Sequence, residues 1–409
     1  MLGRTIAVVA VLTLTGCSVG PWTNASTVTI GFTATGTGAG YTATVREVRA
    51  FERENPRIRV NILQMSPASN LAYVQLAGKL GDGIPYPDVI SSDVVWIGTL
   101  VKNGWILPLD GFHPDKSRFY PTQYAAASFG GRLYALPWFI DAEGLFYRTD
   151  LGLDRPSTPG QLVDEARAAQ RAGIKYGLAF EAMKFEGLVT DFIDFGGTVD
   201  LKHLDSPQNV SVLQFMHDLV YTQHVAPPDV TRWQENEVRD AFVTGQAAFA
   251  IDWPFVYADA EAPPPTSVVA GKTAWMPFPA VEGGQPQAAL GGWDLVINAR
   301  SQHPDEAYKL IEYLLRTGVQ VNRAVSAGNP PGVVDAYQEK SGLFRQAPYY
   351  RMEPEVFRYA TPRPATSRYP EVSDALQSQL AEAMNDRATP AQALAAAQRQ
   401  IDAIQAGSG

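Results

Sequence analysis

The sequence contains a single cysteine, Cys17, and only 5 histidines among its 409 residues. A disulfide needs two cysteines and a structural zinc site needs several Cys or His ligands, so disulfides and cysteine-based metal sites are excluded. His217 and His224 are too far apart to form one metal-binding face, and no third ligand lies near them in the sequence. The sequence therefore predicts neither a metal nor a cofactor.

Basic clusters and long apolar runs are also lacking. The formal net charge is -9 and no cluster of Lys or Arg interrupts it, which makes nucleic acid and polyphosphate poor partners. No apolar run after the N-terminal one is long enough to span a membrane. The chain does have 8 Trp and 17 Tyr residues, whose flat faces can stack on sugar rings, although aromatic residues more often serve hydrophobic cores. Length and composition favour two domains and a neutral ligand.

The N-terminus has the parts of an export signal. A basic residue is followed by an apolar run, ending at residue 14, that is too short to cross a bilayer as a mature helix. The motif LTGC, which ends at Cys17, resembles the lipobox of bacterial lipoproteins, in which the cysteine becomes the lipidated first residue. We predict a signal peptide over residues 1–16, a polar tether over 17–26, and anchoring of the exported protein to the outer face of the cell membrane through Cys17.

Strand and helix patterns alternate after the tether. The first three β-branched or apolar runs lie at residues 28–32, 58–65 and 88–96. This alternation predicts an α/β fold with a mainly parallel sheet, whose ligands bind beyond the carboxyl ends of the strands. Gln64 and Asp93 stand at such ends and are candidate ligand contacts.

The stretch from residue 130 to 151 is predicted to cross between two lobes. Pro137 has no amide donor and belongs at a bend or a sheet edge, so we expect the chain beyond it to leave the first sheet. Side chains alternate along a strand, so Phe139 and Asp141 would share one face and look into the gap between the lobes. The alternative is a plain buried strand whose Asp141 caps the next turn.

Three acids follow in one predicted helix. Glu186 lies in its first turn, where an acid is favoured by the helix dipole; a ligand contact is the alternative. Asp191 and Asp194 lie further along and are expected to be surface charges.

Two tryptophans lie at strand ends beside turn residues. The strand that ends at Trp253 is stopped by a proline, which would carry the indole to the rim of a cleft with Tyr257 close behind it. The alternative is a core tryptophan. Gly291 and Gly292 precede Trp293 at a second predicted crossing, and glycine allows their amides to approach hydroxyl groups closely.

Arg363 is flanked by Pro362 and Pro364, which hold it in an extended loop. An arginine held in this way either forms an ion pair with an acid of the facing lobe or donates hydrogen bonds to a ligand.

Taken in order, these segments resemble the carbohydrate-binding lipoproteins of ABC importers, of the maltose and trehalose type, over essentially the whole mature chain. The matching segments are FERENPRIRV, PDVISSDVVWIGTLVKNGWILPLD, GGRLYALPWFIDAEGLFYRTDL, AFVTGQAAFAIDWPFV and GGWDLVINARSQHPDEAYKLIEYLL. The resemblance implies a two-lobed, type II periplasmic-binding-protein-like fold, hinged by several crossings, with the ligand in the interlobe cleft. We predict an N-terminal lobe of residues 27–136 and 289–332 and a C-terminal lobe of residues 137–288 and 333–409.

The same resemblance implies a monomeric, non-catalytic receptor that captures a neutral sugar, such as trehalose or maltose, and delivers it to the permease subunits of an ABC transporter. Similar proteins present the acid equivalent to Glu186 to sugar hydroxyls, and trehalose binders use the arginine equivalent to Arg363. The predicted acceptors are Asp93, Asp141 and Glu186, the donors or bridges are Gln64, Arg363 and the amides of Gly291 and Gly292, and the stacking residues are Trp253 and Trp293.

Two other classes remain open at this point. A secreted glycoside hydrolase also needs carboxylates and aromatic residues in a cleft, and a structural lipoprotein needs no ligand. Residues 33–40 contain no acid, whereas several members of the resembling family carry one just after the first strand. The identity of the ligand is therefore open, and a polar solute such as a glycerophosphodiester is a further alternative.

Overall fold

The computed structural model describes residues 27–34, 38–66, 68–279 and 284–407. The predicted signal peptide, the tether and Cys17 lie outside these residues. Within them, no helix is both long enough and apolar enough to cross a membrane.

Strands and helices alternate along the described chain, as the sequence patterns predict. The strands are β1 (Val28–Ala34), β2 (Ile58–Gln64), β3 (Val89–Asp93), β4 (Ser128–Phe129), β5 (Arg132–Leu133), β6 (Leu136–Ala142), β7 (Gly144–Arg148), β8 (Tyr176–Ala179), β9 (Ala247–Asp252), β10 (Thr273–Met276), β11 (Ala288–Ile297) and β12 (Ala360–Pro362). The helices are α1 (Gly38–Glu54), α2 (Ser69–Gly81), α3 (Ile97–Lys102), α4 (Pro121–Ala126), α5 (Pro159–Arg171), α6 (Glu186–Asp194), α7 (Pro207–Tyr221), α8 (Glu235–Val243), α9 (Phe255–Ala260), α10 (Pro304–Leu314), α11 (Thr317–Ala327), α12 (Leu343–Gln346), α13 (Glu353–Phe357), α14 (Tyr369–Met384) and α15 (Pro390–Ala406).

The first lobe is built on a sheet in the order β12-β11-β3-β1-β2, with β6 pairing with β11. Strand β1 is parallel to β2 and β3, and β11 runs antiparallel to β3 and β6. The inner strands β1 and β3 are almost wholly buried, as expected in a sheet covered by helices on two sides, whereas the edge strand β2 alternates between buried and exposed residues. One hydrophobic cluster, which includes Phe32, Val48, Ile90, Leu295 and Leu310, joins the sheet to α1 and α10.

The second lobe is built on the sheet β10-β7-β9-β8, in which β7 is antiparallel to β9 and β10 and β8 is parallel to β9. One cluster packs α5, α7, α14 and α15 on this sheet, and a second cluster holds α8 and α9. Each lobe therefore has its own sheet and its own core, as the predicted two-lobed α/β fold requires.

The crossing stretch joins the two sheets, but the bend is not at Pro137. Strand β6 stays in the first sheet until Ala142, and the chain enters the second sheet at Gly144, where β7 begins. Pro137 is accommodated because the register against β11 shifts beside it, so that Trp138 is the extra residue of a bulge. A proline costs little at a bulge, where the regular ladder of hydrogen bonds is already interrupted.

The predicted lobe boundary after Gly332 also differs from the packing. Val333, Ala336, Leu343 and Tyr350 lie in the hydrophobic cluster of the first lobe, not in the second. The break at residues 329–332 instead runs beside β6, where the carbonyl of Pro330 accepts a hydrogen bond from the Ile140 amide at 3.1 Å. The chain joins the second lobe later, first through Val356 of α13 and then through α14, whose Val372 and Leu376 lie in the cluster on the second sheet.

Candidate functional site

A cavity lies between the two lobes and contains most of the residues that the sequence singled out. Nine of the predicted residues line it: Asp93, Phe139, Asp141, Glu186, Trp253, Gly291, Gly292, Trp293 and Arg363. They come from the ends of β3, β6 and β9, from the start of α6, from the middle of β11 and from the loop after β12. Side-chain alternation along β6 places Phe139 and Asp141 on the cavity together, as predicted.

Two predicted residues are absent from the described lining of this cavity. Gln64 ends β2, which is the edge strand of the first sheet and lies away from β6 and β11. Tyr257 belongs to α9 and is buried on the core side of this helix, where its ring stacks on Tyr349 with centroids 4.3 Å apart. Since α9 begins at Phe255, the helical turn directs Phe255 to the cavity and Tyr257 to the opposite side.

Several lining residues were not predicted. These are Gly38, Ala39, Gly40, Ser69, Trp138, Gly187, Thr190, Glu235, Asn236, Arg239, Phe255, Asp259, Arg323, Ala327 and Asn329. Gly38, Ala39 and Gly40 form the start of α1, although a Gly-rich sequence of this kind favours a loop. Arg323 has no local signal, because it lies inside α11 and reaches the site only through the packing of the first lobe.

Arg363 joins the two lobes at the cavity. Its guanidinium contacts Glu186 of α6 at 2.8 Å and Asp93 at the end of β3 at 3.3 Å, and all three side chains are buried. Of the two roles that the sequence left open for Arg363, the ion pair with an acid of the facing lobe is therefore present. Its partners are Glu186 and Asp93 and not Asp141.

Glu186 is the centre of a wider hydrogen-bond network. Besides Arg363, it accepts hydrogen bonds from three side chains of α14, namely the Tyr369 hydroxyl, Ser373 at 2.5 Å and Gln377 at 3.1 Å. A carboxylate with this many donors is held in one orientation. Glu186 thus connects the cavity to α14 of the second lobe. Its role is therefore larger than the favourable interaction with the dipole of α6 that the sequence suggests.

Asp141 faces a different cation. Burial raises the pKa of Asp141 to about 8, and the positive charge of Arg323 opposes that rise. Arg323 is itself held by Glu47 at 3.1 Å, and its guanidinium lies 4.0 Å from the centre of the Trp138 ring. The alternative role of Asp141, as the cap of a turn directly after the strand, has no support in the described contacts.

The two tryptophans are half-buried and belong to the wall of the cavity. The Trp253 ring lies directly against Gly291, where an added Cβ would stand only 2.7 Å from the indole. Trp293 packs edge-on against Trp96, with ring centres 5.4 Å apart. Gly292 has a φ of +134°, and a Cβ there would meet the Phe139 carbonyl at 2.7 Å, so this position requires glycine.

The cavity thus combines apolar ring faces with fixed carboxylates and backbone groups. Flat indole faces suit the C–H faces of a polar ring, and carboxylates suit hydroxyl donors. Such a site can bind and orient a polar molecule by stacking and hydrogen bonding, and neither interaction requires a covalent step.

Comparison with known proteins identifies relatives along most of the chain. The family model described as bacterial extracellular solute-binding protein matches residues 34–321. A probable ABC transporter-binding protein of Deinococcus radiodurans is 32% identical over 402 residues, which cover 93% of this chain and 94% of that protein.

Solved structures agree with this assignment. The maltose-bound MalE3 protein of T. maritima is 32% identical with a TM-score of 0.86, covering 92% of this chain and 100% of that one. A solute-binding protein of an ABC transporter from Thermotoga lettingae, bound to α-D-tagatose, is 25% identical with a TM-score of 0.81 and covers 92% of this chain and 99% of its own. The chain belongs to the bacterial extracellular solute-binding proteins, and it is therefore an exported binding protein rather than an enzyme.

Proposed function

We propose that the protein is the receptor of an ABC importer for a neutral sugar, specifically a disaccharide such as maltose or trehalose. The observation that carries this proposal is the cavity, in which two half-buried indoles stand beside fixed carboxylates between the lobes. The similarity to MalE3, whose solved structure holds maltose, supports the same ligand class. Permease subunits in the membrane would receive the sugar from a monomeric receptor.

In this proposal each part of the cavity has one task. Trp253 and Trp293 stack on the two sugar rings, since both present indole surface to the cavity. Asp141 accepts hydrogen bonds from hydroxyl groups, and the backbone amides of Gly291 and Gly292 donate to sugar oxygens. Arg363 already contacts Asp93 and Glu186. These three residues therefore serve the sugar with their remaining hydrogen-bonding groups and by holding the two lobes in place.

A thermal-shift panel tests the ligand class. A ligand at a hundred times its Kd stabilises the native state by about 2.7 kcal/mol, so we expect maltose or trehalose to raise the melting temperature by several degrees. The panel includes tagatose, a linear polyol and a glycerophosphodiester at the same concentrations. A shift with the polyol or the phosphodiester, and none with either disaccharide, would contradict the proposal.

We further propose that a lipid on Cys17 retains the protein at the membrane. The motif LTGC at residues 14–17 and the exported family support this anchor. One acyl chain binds a membrane weakly and several chains bind it firmly, so Cys17→Ser is expected to move the protein from the membrane fraction to the soluble fraction. Sugar affinity should be unchanged, because residue 17 precedes both lobes. Continued membrane retention of the Cys17→Ser variant would contradict the anchor.

A further inference from the structure

A second group of acids lies behind the wall of the cavity, inside the second lobe. Glu143 stands at the crossing between β6 and β7, Glu181 follows β8, and Asp191 lies on α6. All three are fully buried. One carboxylate oxygen from each can be chosen so that all three atoms lie within 4.8 Å of one another.

The burial of Asp191 shows that its prediction as a surface charge is wrong, and the same is true of Asp194, which is also fully buried.

Few hydrogen bonds satisfy these carboxylates. Asp191 accepts one from the Glu181 amide at 2.5 Å, and Asp194 accepts one from the Ala289 amide at 2.6 Å. Glu143 lies within hydrogen-bonding reach of the Thr190 hydroxyl and of the Asp194 carboxyl group. Among the described residues, no donor reaches either oxygen of Glu181 or the second oxygen of Asp191. These three oxygens differ from the great majority of buried polar atoms in native proteins, which have a partner.

The charges around the group are also unbalanced. Burial is the main cause that raises the pKa values of Glu143, Glu181 and Asp191. The negative charges of neighbouring acids, including Glu235 and Asp194, raise these pKa values further. The nearby Arg239 is engaged by Asp240 at 2.8 Å and by Asp259 at 3.4 Å. Buried carboxylates without a cationic partner are costly unless they are protonated or coordinate a metal.

We propose that Glu143, Glu181 and Asp191 bind a divalent cation of the calcium type inside the second lobe. All the donor atoms are oxygens, which hard cations prefer. Calcium accepts oxygens at about 2.3 to 2.6 Å, so two of its ligands can stand up to roughly twice that distance apart. The 4.8 Å limit on the three carboxylate oxygens falls within this range.

The position of the group gives the cation a structural consequence. Helix α6 carries both Asp191 and the cavity residues Glu186, Gly187 and Thr190. A cation that holds Asp191 to Glu143 and Glu181 would fix this helix relative to β7 and β8. It would thereby hold Glu186 in place for Arg363. The binding of the cation does not depend on which ligand enters the cavity, so it can be tested separately.

The test measures metal content and melting temperature in the mature protein. Metal is determined by atomic emission before and after dialysis against EDTA, and Ca²⁺ or Mg²⁺ is then added at constant ionic strength. We expect one Ca²⁺ per chain and a melting temperature several degrees higher with Ca²⁺ than with EDTA. A chain that neither contains nor takes up a divalent cation, and whose melting temperature does not respond to Ca²⁺, would overturn the proposal.

Matched variants separate a metal site from a buried acidic group without metal. Glu181→Gln removes one negative ligand with little change in shape, so we expect at least a tenfold weaker affinity for Ca²⁺ and no Ca²⁺-dependent shift in melting. Asp191→Asn serves if Glu181→Gln does not fold. Asp164→Asn is the control, because the Asp164 side chain is 79% exposed on α5 in the same lobe. Undiminished Ca²⁺ binding by Glu181→Gln would also overturn the assignment.

Discussion

Replacing Arg363 with glutamine is expected to lower the free energy of unfolding by about 3 to 5 kcal/mol, the usual effect of removing one partner of a buried ion pair. The variant would leave Glu186 and Asp93 without the guanidinium that contacts both of them. Sugar binding should weaken by at least tenfold, because Arg363 also lines the cavity. The two effects are measured by thermal or denaturant unfolding of the sugar-free protein and by calorimetric titration.

A surface arginine provides the matched control. Arg387 contacts Glu382 at 2.8 Å, but these side chains are 57% and 41% exposed. Water and salt screen an exposed pair, which therefore contributes little to stability, so Arg387→Gln should leave both stability and sugar affinity nearly unchanged. Equal effects of Arg363→Gln and Arg387→Gln on stability would contradict the role assigned to the buried pair.

Asp93→Asn separates the two acidic contacts of Arg363, because it changes the contact with Asp93 and leaves the contact with Glu186. The Glu186 contact of Arg363 belongs to a network with α14, whereas the 3.3 Å contact with Asp93 connects to the first sheet. We expect Asp93→Asn to cost less stability than Arg363→Gln and still to weaken sugar binding.

A double-mutant cycle of Asp141→Asn with Arg363→Gln should show little coupling in sugar-free melting, since Asp141 faces Arg323. Strong coupling would contradict that assignment.

Replacing Trp253 with alanine is expected to weaken sugar binding by about 1 to 3 kcal/mol, or roughly tenfold to a hundredfold, through the loss of apolar contact. The sugar-free protein should melt nearly as the wild type does, because the ring is only half-buried and rests on Gly291 at the cavity wall. Calorimetry and thermal melting measure the two effects.

Trp105 is the control for this substitution. It is also half-buried, but it packs against the core of the first lobe and is absent from the described lining of the cavity. Trp105→Ala should therefore reduce stability without changing sugar affinity. A large fall in the sugar-free melting temperature of Trp253→Ala, with affinity preserved, would assign Trp253 to the core.

Local sequence patterns predicted the fold and much of the site, because the features concerned are determined by residues that are close together in the sequence. The polar ends of strands, such as Asp93, and the alternation along β6 depend on neighbouring residues only. They place Phe139, Asp141 and Trp253 at the cavity. The order of these segments along the chain was also sufficient for the family, which the comparisons confirm.

The wrong or missing predictions concern residues whose positions are determined by tertiary packing. Pro137 is a strong local signal for a bend, but the bulge at Trp138 accommodates it inside the sheet. The spacing from Trp253 to Tyr257 does not reveal that α9 begins between them and turns Tyr257 into the core. Asp194 is polar and lies on a helix, yet neighbouring segments bury it completely. Arg323 reaches the cavity from a distant helix, which no local pattern reports.

The central claim is that one neutral disaccharide is held between the two lobes and released unchanged. The most direct measurement is a calorimetric titration of the wild-type protein with maltose and with trehalose, followed by chromatography of the recovered sugar. We predict saturable binding of at least one of the two at one site per chain, binding that is at least tenfold weaker in Trp253→Ala and unchanged in Trp105→Ala, and recovery of the intact disaccharide. Absence of saturable heat with either disaccharide, or the appearance of glucose in the recovered sample, would contradict the claim.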